Sequence, residues 1–158
     1  MCIRDSTVIT QIAADALGVA VHDLTLVDCD TDLTPDCGKT SASRQTFVSG
    51  KAALLSGQTL REMLLRYGNV DCNAKITIDG SIINLRDDAG GFVCIELRGL
   101  PVNDLGYVFM AEETYDPPTS ALDSKGQGKP YAVFGYGAQM MELQVDCAVS
   151  YTHLTLPT

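Results

Sequence analysis

The chain has 158 residues, of which 46% are hydrophobic and 20% charged, a composition typical of one folded domain with a real core. Eleven basic residues against 20 acidic ones give a net charge of −9, which excludes the basic footprint of a protein that binds nucleic acid or an anionic membrane surface. The apolar runs are too short to span a membrane, so we expect a cytoplasmic protein.

The six cysteines are spread along the chain and form no C-x-x-C pair. This spacing favours reduced thiols over a disulfide framework, and it gives no support to zinc or iron–sulfur ligation. We therefore predict no metal ligand among the side chains.

Both ends of the chain resemble translated sequencing-adapter sequence. Residues 1–6 read MCIRDS and residues 150–158 read SYTHLTLPT, and neither continues the pattern beside it. We expect both ends to be adapter-derived, which leaves residues 7–149 as a partial domain. His22 is then its only histidine, and it lies in a polar turn where we expect a surface role.

The first predicted element is a helix from Thr7 to Leu17, because its apolar residues recur at helical spacing and Gly18 follows as a C-terminal cap. A short β-rich run from Leu24 to Cys29 predicts a strand. The stretch from Asp30 to Lys39 is rich in Asp, Thr, Pro and Gly, which predicts a loop.

A second helix is predicted from Ser43 to Arg66, with Thr40 or Ser41 as its N-cap. Gly50 and Gly57 fall inside it, and interior glycines weaken a helix, so we expect another backbone to pack closely there. The candidate core residues are Phe47, Leu54, Leu55, Leu64 and Leu65.

The second half of the chain predicts strands. Ile76 to Leu85 is typical of a hairpin turning at Asp79-Gly80. Further strands are predicted at Gly106 to Ala111 and Ala132 to Asp146, separated by a turn-rich stretch from Tyr115 to Pro130. Because helices and strands do not alternate regularly, the predicted class is α+β.

The segment from Pro35 to Gln45 places glycine and small hydroxyl residues at a loop-to-helix junction. A helix N-terminus leaves backbone N–H groups unpaired and carries a partial positive charge, so this junction is suited to a phosphate or another anion. Simple helix capping is the commoner role of such residues. The acids from Asp28 to Asp32 lack the glycine and glutamate of an EF-hand loop, which excludes that calcium motif.

Three segments together resemble the molybdopterin-binding large subunit of the xanthine dehydrogenase and aldehyde oxidase family. They are TQIAADALGV at residues 10–19, DTDLTPDCGKTSASRQTFVSGKA at residues 30–52, and TYDPPTSALDSKGQGKPYAVFGYGAQMMELQVD at residues 114–146. The resemblance implies a partial molybdenum-cofactor-binding domain of the α+β class, with two helices and several mixed strands.

The resemblance also implies site residues. Gln11 matches a glutamine of the family's first helix that touches the cofactor. The segment held against the pterin and its phosphate corresponds here to Thr40, Ser41, Ala42, Ser43, Arg44 and Gln45. The family's catalytic glutamate has no counterpart, so no catalytic residue is assigned and the fragment alone is expected to be inactive. The cofactor's dithiolene holds the metal, so no side chain need be a metal ligand.

The activity implied is hydroxylation of a purine, aldehyde or N-heterocycle with oxygen from water. The implied cofactor is molybdopterin, whose cytosine dinucleotide form stays open; 2Fe-2S and FAD groups are expected only in other domains or subunits of the complex. Two alternatives remain: a non-catalytic α+β anion-binding or interaction module, and an enzyme that uses the junction for a phosphorylated substrate. The latter needs a general base near Thr40 to Arg44, and none is evident.

Overall fold

The computed structural model describes residues 3–28, 30–34, 44–132, 134–142 and 148, with side chains described from residue 6 onward. Its helices and strands are α1 (Ile3–Leu17), a 3-10 turn (Val21–Asp23), α2 (Gln45–Gly68), β1 (Lys75–Asp79), β2 (Ile82–Arg86) and β3 (Phe92–Glu96). Two helices and a three-stranded antiparallel sheet confirm the predicted α+β class. No helix in these ranges is both long and apolar enough to cross a membrane.

The two helices run parallel to each other. Ile12 of α1 lies against Gly50 of α2, Ala16 lies against Gly57, and the last carbonyl of α1, at Leu17, lies against Arg61. The order of these contacts ascends in both helices, so both N-termini lie at the same end of the pair. The connection between the helices therefore returns the chain to the end where α1 began.

The interior glycines of α2 make this close approach possible, as predicted. A Cβ atom added at Gly57 would lie 2.7 Å from the Cβ of Ala16 and 2.9 Å from the carbonyl oxygen of Ala13, too close for any side chain. At Gly50 it would lie 2.9 Å from Cδ1 of Ile12. Small residues on both helices thus set their separation.

Arg61 joins the C-terminus of α1 to the start of the sheet. Its Nη1 donates to the carbonyl oxygen of Leu17 at 2.9 Å, and its Nη2 donates to the carbonyl oxygens of Ala74 at 2.6 Å and Cys72 at 3.3 Å. The adjoining Gly18 has a φ of +84° and ends the helix as predicted. One guanidinium therefore satisfies three carbonyl groups on two segments.

The sheet places one apolar face on the helices. Ile76 pairs with Leu85 and Ile78 with Ile83 between β1 and β2, and Ile83 pairs with Ile95 between β2 and β3. The buried core consists of Leu17, Leu64, Leu65, Ala74, Ile76, Ile83, Leu85 and Ile95. Leu64 and Leu65 confirm two predicted core residues, whereas Phe47 is 39% exposed and lies outside the core.

The hairpin of β1 and β2 confirms the prediction at Ile76 to Leu85, but its two-residue loop is Gly80-Ser81, one residue beyond the predicted turn. Gly80 has a φ of +58°, which explains glycine at that position. Sequence reasoning missed β3. Its run FVCIE is apolar on both faces of the strand, so the alternation that marks a half-buried strand is weak.

Three predicted strands were wrong over the residues that the structure describes: Leu24 to Cys29, Gly106 to Ala111, and Ala132 to Asp146. Residues 29, 133 and 143–146 of these ranges lie outside the described part. A strand requires a neighbour to bond its backbone, and the described sheet contains β1, β2 and β3 alone. The predicted turn-rich stretch is confirmed by the turn at Asp123, whose N–H donates to the carbonyl oxygen of Gln127 at 2.8 Å.

Candidate functional site

The predicted site residues fall into three groups in the structure. Thr40 to Ser43 lie outside the described residues, as does the second half of the predicted loop before them, residues 35–39. Arg44 and Gln45 lie together at the start of α2, and Gln11 lies on α1. The described part of the candidate site is therefore the N-terminal end of α2 and the helix beside it.

The start of α2 is suited to an anion. Arg44 already has helical dihedral angles, with φ −94° and ψ −8°, and its carbonyl oxygen accepts from Val48 N–H at 2.7 Å. The first turn contains no acidic residue, and the Arg44 side chain is exposed. Its guanidinium thus adds a full positive charge to the positive end of the helix dipole.

Gln45 is oriented by its own helix. Its Oε1 accepts a hydrogen bond from Ser49 Oγ at 3.3 Å, one turn further along α2. The side chain is half-buried, in contrast to the exposed Arg44 before it. This contact directs the amide of Gln45 along the helix, so that its position at the candidate site is defined.

Gln11 does not lie with Arg44 and Gln45. It shares the exposed face of α1 with Asp15, four residues later, whereas Ala13, Ala16 and Leu17 face α2. The parallel helices bring Gln11 toward the same end of the pair as Arg44, but on the side of α1 that is turned away from α2. Any shared ligand would therefore have to pass around α1.

An aromatic groove lies beside the start of α2, and sequence reasoning missed it. It has a volume of about 660 Å³ and is lined by Phe47, Tyr115, Pro118, Leu122, Gly128, Lys129, Pro130, Tyr131, Ala132 and Phe134. The Phe47 and Tyr115 rings meet edge to face, with centroids 5.9 Å apart. The signal in the sequence was the aromatic residues Tyr115, Tyr131 and Phe134, which flank the turn-rich stretch.

The groove forms because the chain after the sheet runs back along α2. Phe109 packs edge to face on Tyr67 with centroids 5.3 Å apart, and Thr59 Oγ1 donates to Glu113 Oε1 at 2.9 Å. Tyr115 then reaches Phe47. These contacts carry the chain from the C-terminal end of α2 to its N-terminal end, where the predicted anion site lies.

Two acidic side chains before α2, Asp28 and Asp30, accept hydrogen bonds from nearby residues of the chain. Asp28 Oδ2 accepts from Ser6 Oγ at 2.6 Å, and Asp30 Oδ1 accepts from the N–H of Asp32 at 3.0 Å. Within the described ranges, no three His, Cys, Asp or Glu side chains are grouped as metal ligands. His22 is an exposed side chain in the 3-10 turn, 3.7 Å from a carboxylate oxygen of Asp23.

The side chains with shifted pKa values, Asp71, Cys72 and Glu96, lie away from the start of α2. Hydrogen bonds from the thiol and N–H of Cys72 lower the pKa of Asp71, and the same contact raises the pKa of the Cys72 thiol. A hydrogen bond from Ser81 and a second one from the N–H of Arg98 lower the pKa of Glu96. Asp71 and Cys72 lie between α2 and β1, and Glu96 ends β3, so these exposed groups do not belong to the candidate site.

A family model for the molybdopterin cofactor-binding domain matches residues 5–155, almost the whole chain. The chain belongs to this family. It is 30% identical over 149 residues to the putative xanthine dehydrogenase molybdenum-binding subunit XdhA of Escherichia coli K12. A xanthine dehydrogenase molybdenum-binding subunit of Escherichia coli O157:H7 gives the same identity over the same length. No solved structure gives a significant match.

The match covers 90% of this chain but 18% of the length of each of the two relatives. The chain thus spans less than a fifth of the length of the molybdenum-binding subunits that it matches. This confirms the resemblance found in the sequence, and it places the start of α2 in a domain type that binds molybdopterin.

Proposed function

We propose that this chain supplies one wall of the molybdopterin site of a molybdenum hydroxylase. The observation that carries the proposal is the start of α2, where a helix N-terminus without acidic residues coincides with Arg44, in a chain of the molybdopterin cofactor-binding domain family. The positive end of the helix dipole and the Arg44 guanidinium provide positive potential for a phosphate group.

Each predicted residue then has a defined task. The hydroxyl groups of Thr40, Ser41 and Ser43 and the small side chain of Ala42 allow close approach of the cofactor to the backbone. Arg44 binds its phosphate by charge-assisted hydrogen bonds, and Gln45 contributes an amide fixed by Ser49. Gln11 is proposed as a further polar contact, for a part of the cofactor that extends around α1 to its exposed face.

The residues present fit a cofactor that is both anionic and planar. Arg44 and the helix N-terminus are suited to its phosphate, and the aromatic groove beginning at Phe47 is suited to a flat ring system. Tyr115 and Tyr131 line this groove, so they would bury the ring and exclude water from it. We propose no catalytic residue in this chain, and we expect the chain alone to be inactive.

The bound cofactor supplies the oxidation chemistry, and the chain contributes position and electrostatics. We propose a purine, aldehyde or N-heterocycle as substrate, with the cytosine dinucleotide form as a candidate for the pterin. The names of the two relatives describe molybdenum-binding subunits. The word subunit in both names supports an assembly with further subunits. We propose that this assembly is cytoplasmic and that iron–sulfur and flavin groups lie in its other domains or subunits.

The proposal is tested by cofactor retention. Purified chain is mixed anaerobically with molybdopterin, desalted, and assayed for bound pterin by its fluorescence after oxidation. We expect retention by the wild type and a loss of about tenfold or more in affinity for the triple variant Ser41→Ala, Ser43→Ala, Arg44→Ala. Lys51→Ala is the matched control, because it removes an exposed cation from α2 one turn or more beyond the site.

Two results would count against the proposal. Equal retention by the triple variant and the wild type would remove the start of α2 from the site. Binding of inorganic phosphate at the start of α2 without any binding of molybdopterin would favour the alternative, a non-catalytic anion-binding module.

A further inference from the structure

The face of the sheet that points away from the helices carries charged, polar and aromatic side chains that take no part in the proposed cofactor site. Side chains alternate along each strand, so the residues facing away from the helices form a separate surface. A depression of about 270 Å³ lies on this surface, lined by Lys75, Thr77, Asn84, Arg86 and Phe92. We call these five residues the outer-face cluster.

Two cations of the outer-face cluster lie directly opposite each other. Lys75 of β1 is in register with Arg86 of β2, and like charges at such positions destabilise a sheet. Among the residues that the structure describes, no carboxylate lies within ion-pair distance of Lys75 or Arg86, so neither cation is neutralised there. Asp87, the nearest acid in sequence, uses its Oδ1 to accept from the N–H of Ala89.

Hydrogen-bond donors lie next to these cations. Thr77 is in register with Asn84, and Asn84 with Cys94. The Cys94 thiol donates to Asn84 Oδ1 at 3.1 Å, which leaves the Asn84 NH₂ group as a donor for another acceptor. The Thr77 hydroxyl is exposed on the neighbouring strand. Two cations and two neutral donors therefore surround one shallow depression.

Phe92 provides an apolar wall beside the charges. It is in register with Arg86 on the opposite side from Lys75, and it is 59% exposed. An exposed aromatic ring next to cations and hydrogen-bond donors offers a stacking surface for a flat ring. The row across the sheet therefore reads cation, cation, aromatic ring.

We infer that the outer-face cluster binds a small organic phosphate that carries a planar ring, of the nucleoside monophosphate class. The phosphate lies between Lys75 and Arg86, where it relieves their repulsion, and accepts hydrogen bonds from Thr77 and Asn84. The ring lies on Phe92.

This site is separate from the proposed cofactor site. The sheet packs on the C-terminal end of α2, where Leu85 lies against Gly68. The 24 residues of α2 place its N-terminus about 36 Å from that end. The inference does not depend on the proposed function, and each site can fail without the other.

The test is an NMR titration of the full chain with adenosine monophosphate, inorganic phosphate and adenosine at low ionic strength. We expect saturable amide shifts at residues 75, 77, 84, 86 and 92, with adenosine monophosphate binding more tightly than phosphate.

Variants of the outer-face cluster test which groups bind the ligand. The double variant Lys75→Gln, Arg86→Gln should weaken the binding of adenosine monophosphate and of phosphate by about tenfold or more. Phe92→Ser should weaken adenosine monophosphate alone. The control Lys51→Gln, Lys125→Gln removes the same charge from exposed sites elsewhere.

A second variant guards against loss of binding through misfolding. Lys75→Glu converts the repulsive pair into an attractive one, so it should raise the melting temperature while abolishing the shift in Tm that phosphate causes in the wild type. Equal binding of adenosine and adenosine monophosphate, an equal loss in the charge control, or shifts confined to residues 44–47 would each overturn the inference.

Discussion

Residues 3–100 and residues 101–142 differ in how their apolar side chains are covered. Every buried hydrophobic residue found in the described chain lies between Ala14 and Ile95. Beyond residue 100, Tyr136 is 95% exposed and Met140 is 93% exposed, and no strand forms in the described residues. Strands of the first part pair with one another, whereas the described backbone hydrogen bonds of the second part close local turns, such as the one from the N–H of Asn103 to the carbonyl oxygen of Tyr107. The chain spans 18% of the length of the relatives that it matches, and we propose that sequence from the rest of such a subunit would cover the exposed side chains of residues 101–142.

The largest expected difference between the two parts is in apolar truncation. Leu85→Ala removes a side chain with 0% exposure from the core and should lower the free energy of unfolding by about 3 kcal/mol. Leu105→Ala, at a residue that is 66% exposed, should change it by less than about 0.5 kcal/mol. Urea denaturation measures both. Similar losses would mean that Leu105 contributes to the core as much as Leu85 does.

The second prediction concerns Arg61, which joins the C-terminus of α1 to the start of the sheet. Arg61→Gln removes hydrogen bonds to the carbonyl oxygens of Leu17 and Ala74 and should cost about 2 kcal/mol, because these carbonyls lose a charged donor. The control Arg66→Gln makes the same chemical change at an exposed position in the last turn of α2 and should cost below about 1 kcal/mol. Equal midpoints of urea denaturation for Arg61→Gln and Arg66→Gln would contradict the proposal that the hydrogen bonds of Arg61 stabilise the fold.

A smaller effect is expected at the contact between the helices. Gly57→Ala should destabilise by about 1 kcal/mol net, since overpacking against Ala16 and the carbonyl of Ala13 exceeds the gain in helix propensity. Gly135→Ala is the matched control in the second part, where nothing lies within 4 Å of the added methyl group. A melting temperature of Gly57→Ala above that of the wild type would contradict the close packing of the two helices.

The smallest effect is a pH dependence at the edge of the sheet. The hydrogen bonds from Ser81 and Arg98 lower the pKa of Glu96 in the folded chain, so their stabilisation is present above its ordinary pKa and is lost as the pH falls through the lowered value. Between about pH 5 and pH 3, stability should fall less in Glu96→Gln than in the wild type. Ser81→Ala removes the larger of the two hydrogen bonds and keeps the carboxyl group, so its stability should also fall less than that of the wild type; equal curves for the wild type and both variants would contradict the role of Glu96.

Local patterns in the sequence predicted the parts of the fold that depend on local contacts. Helical spacing located α1 and α2, and the interior glycines Gly50 and Gly57 indicated their close packing. Yet α1 begins at Ile3, four residues before its predicted start, where the pattern shows no periodicity. The hairpin was predictable because Gly80 marks its turn, whereas β3 was not, since Phe92 and Cys94 make its outer face apolar as well.

Features that depend on distant partners could not be predicted. Nothing in the sequence connects Arg61 with Leu17 and Ala74, because its acceptors are backbone carbonyls common to all residues. The opposition of Lys75 and Arg86 follows only from the strand register. At the candidate site, the sequence located Arg44 and Gln45 at a helix start, but the aromatic groove depends on how the later chain runs back along α2.

The most direct test of the proposed cofactor site is an NMR titration of the chain with molybdopterin, read residue by residue. We predict saturable shifts that are largest at the amides of residues 44–47, with further shifts at Tyr115 and Tyr131 in the adjoining groove. Absence of saturable binding, or shifts confined to the outer face of the sheet, would contradict it.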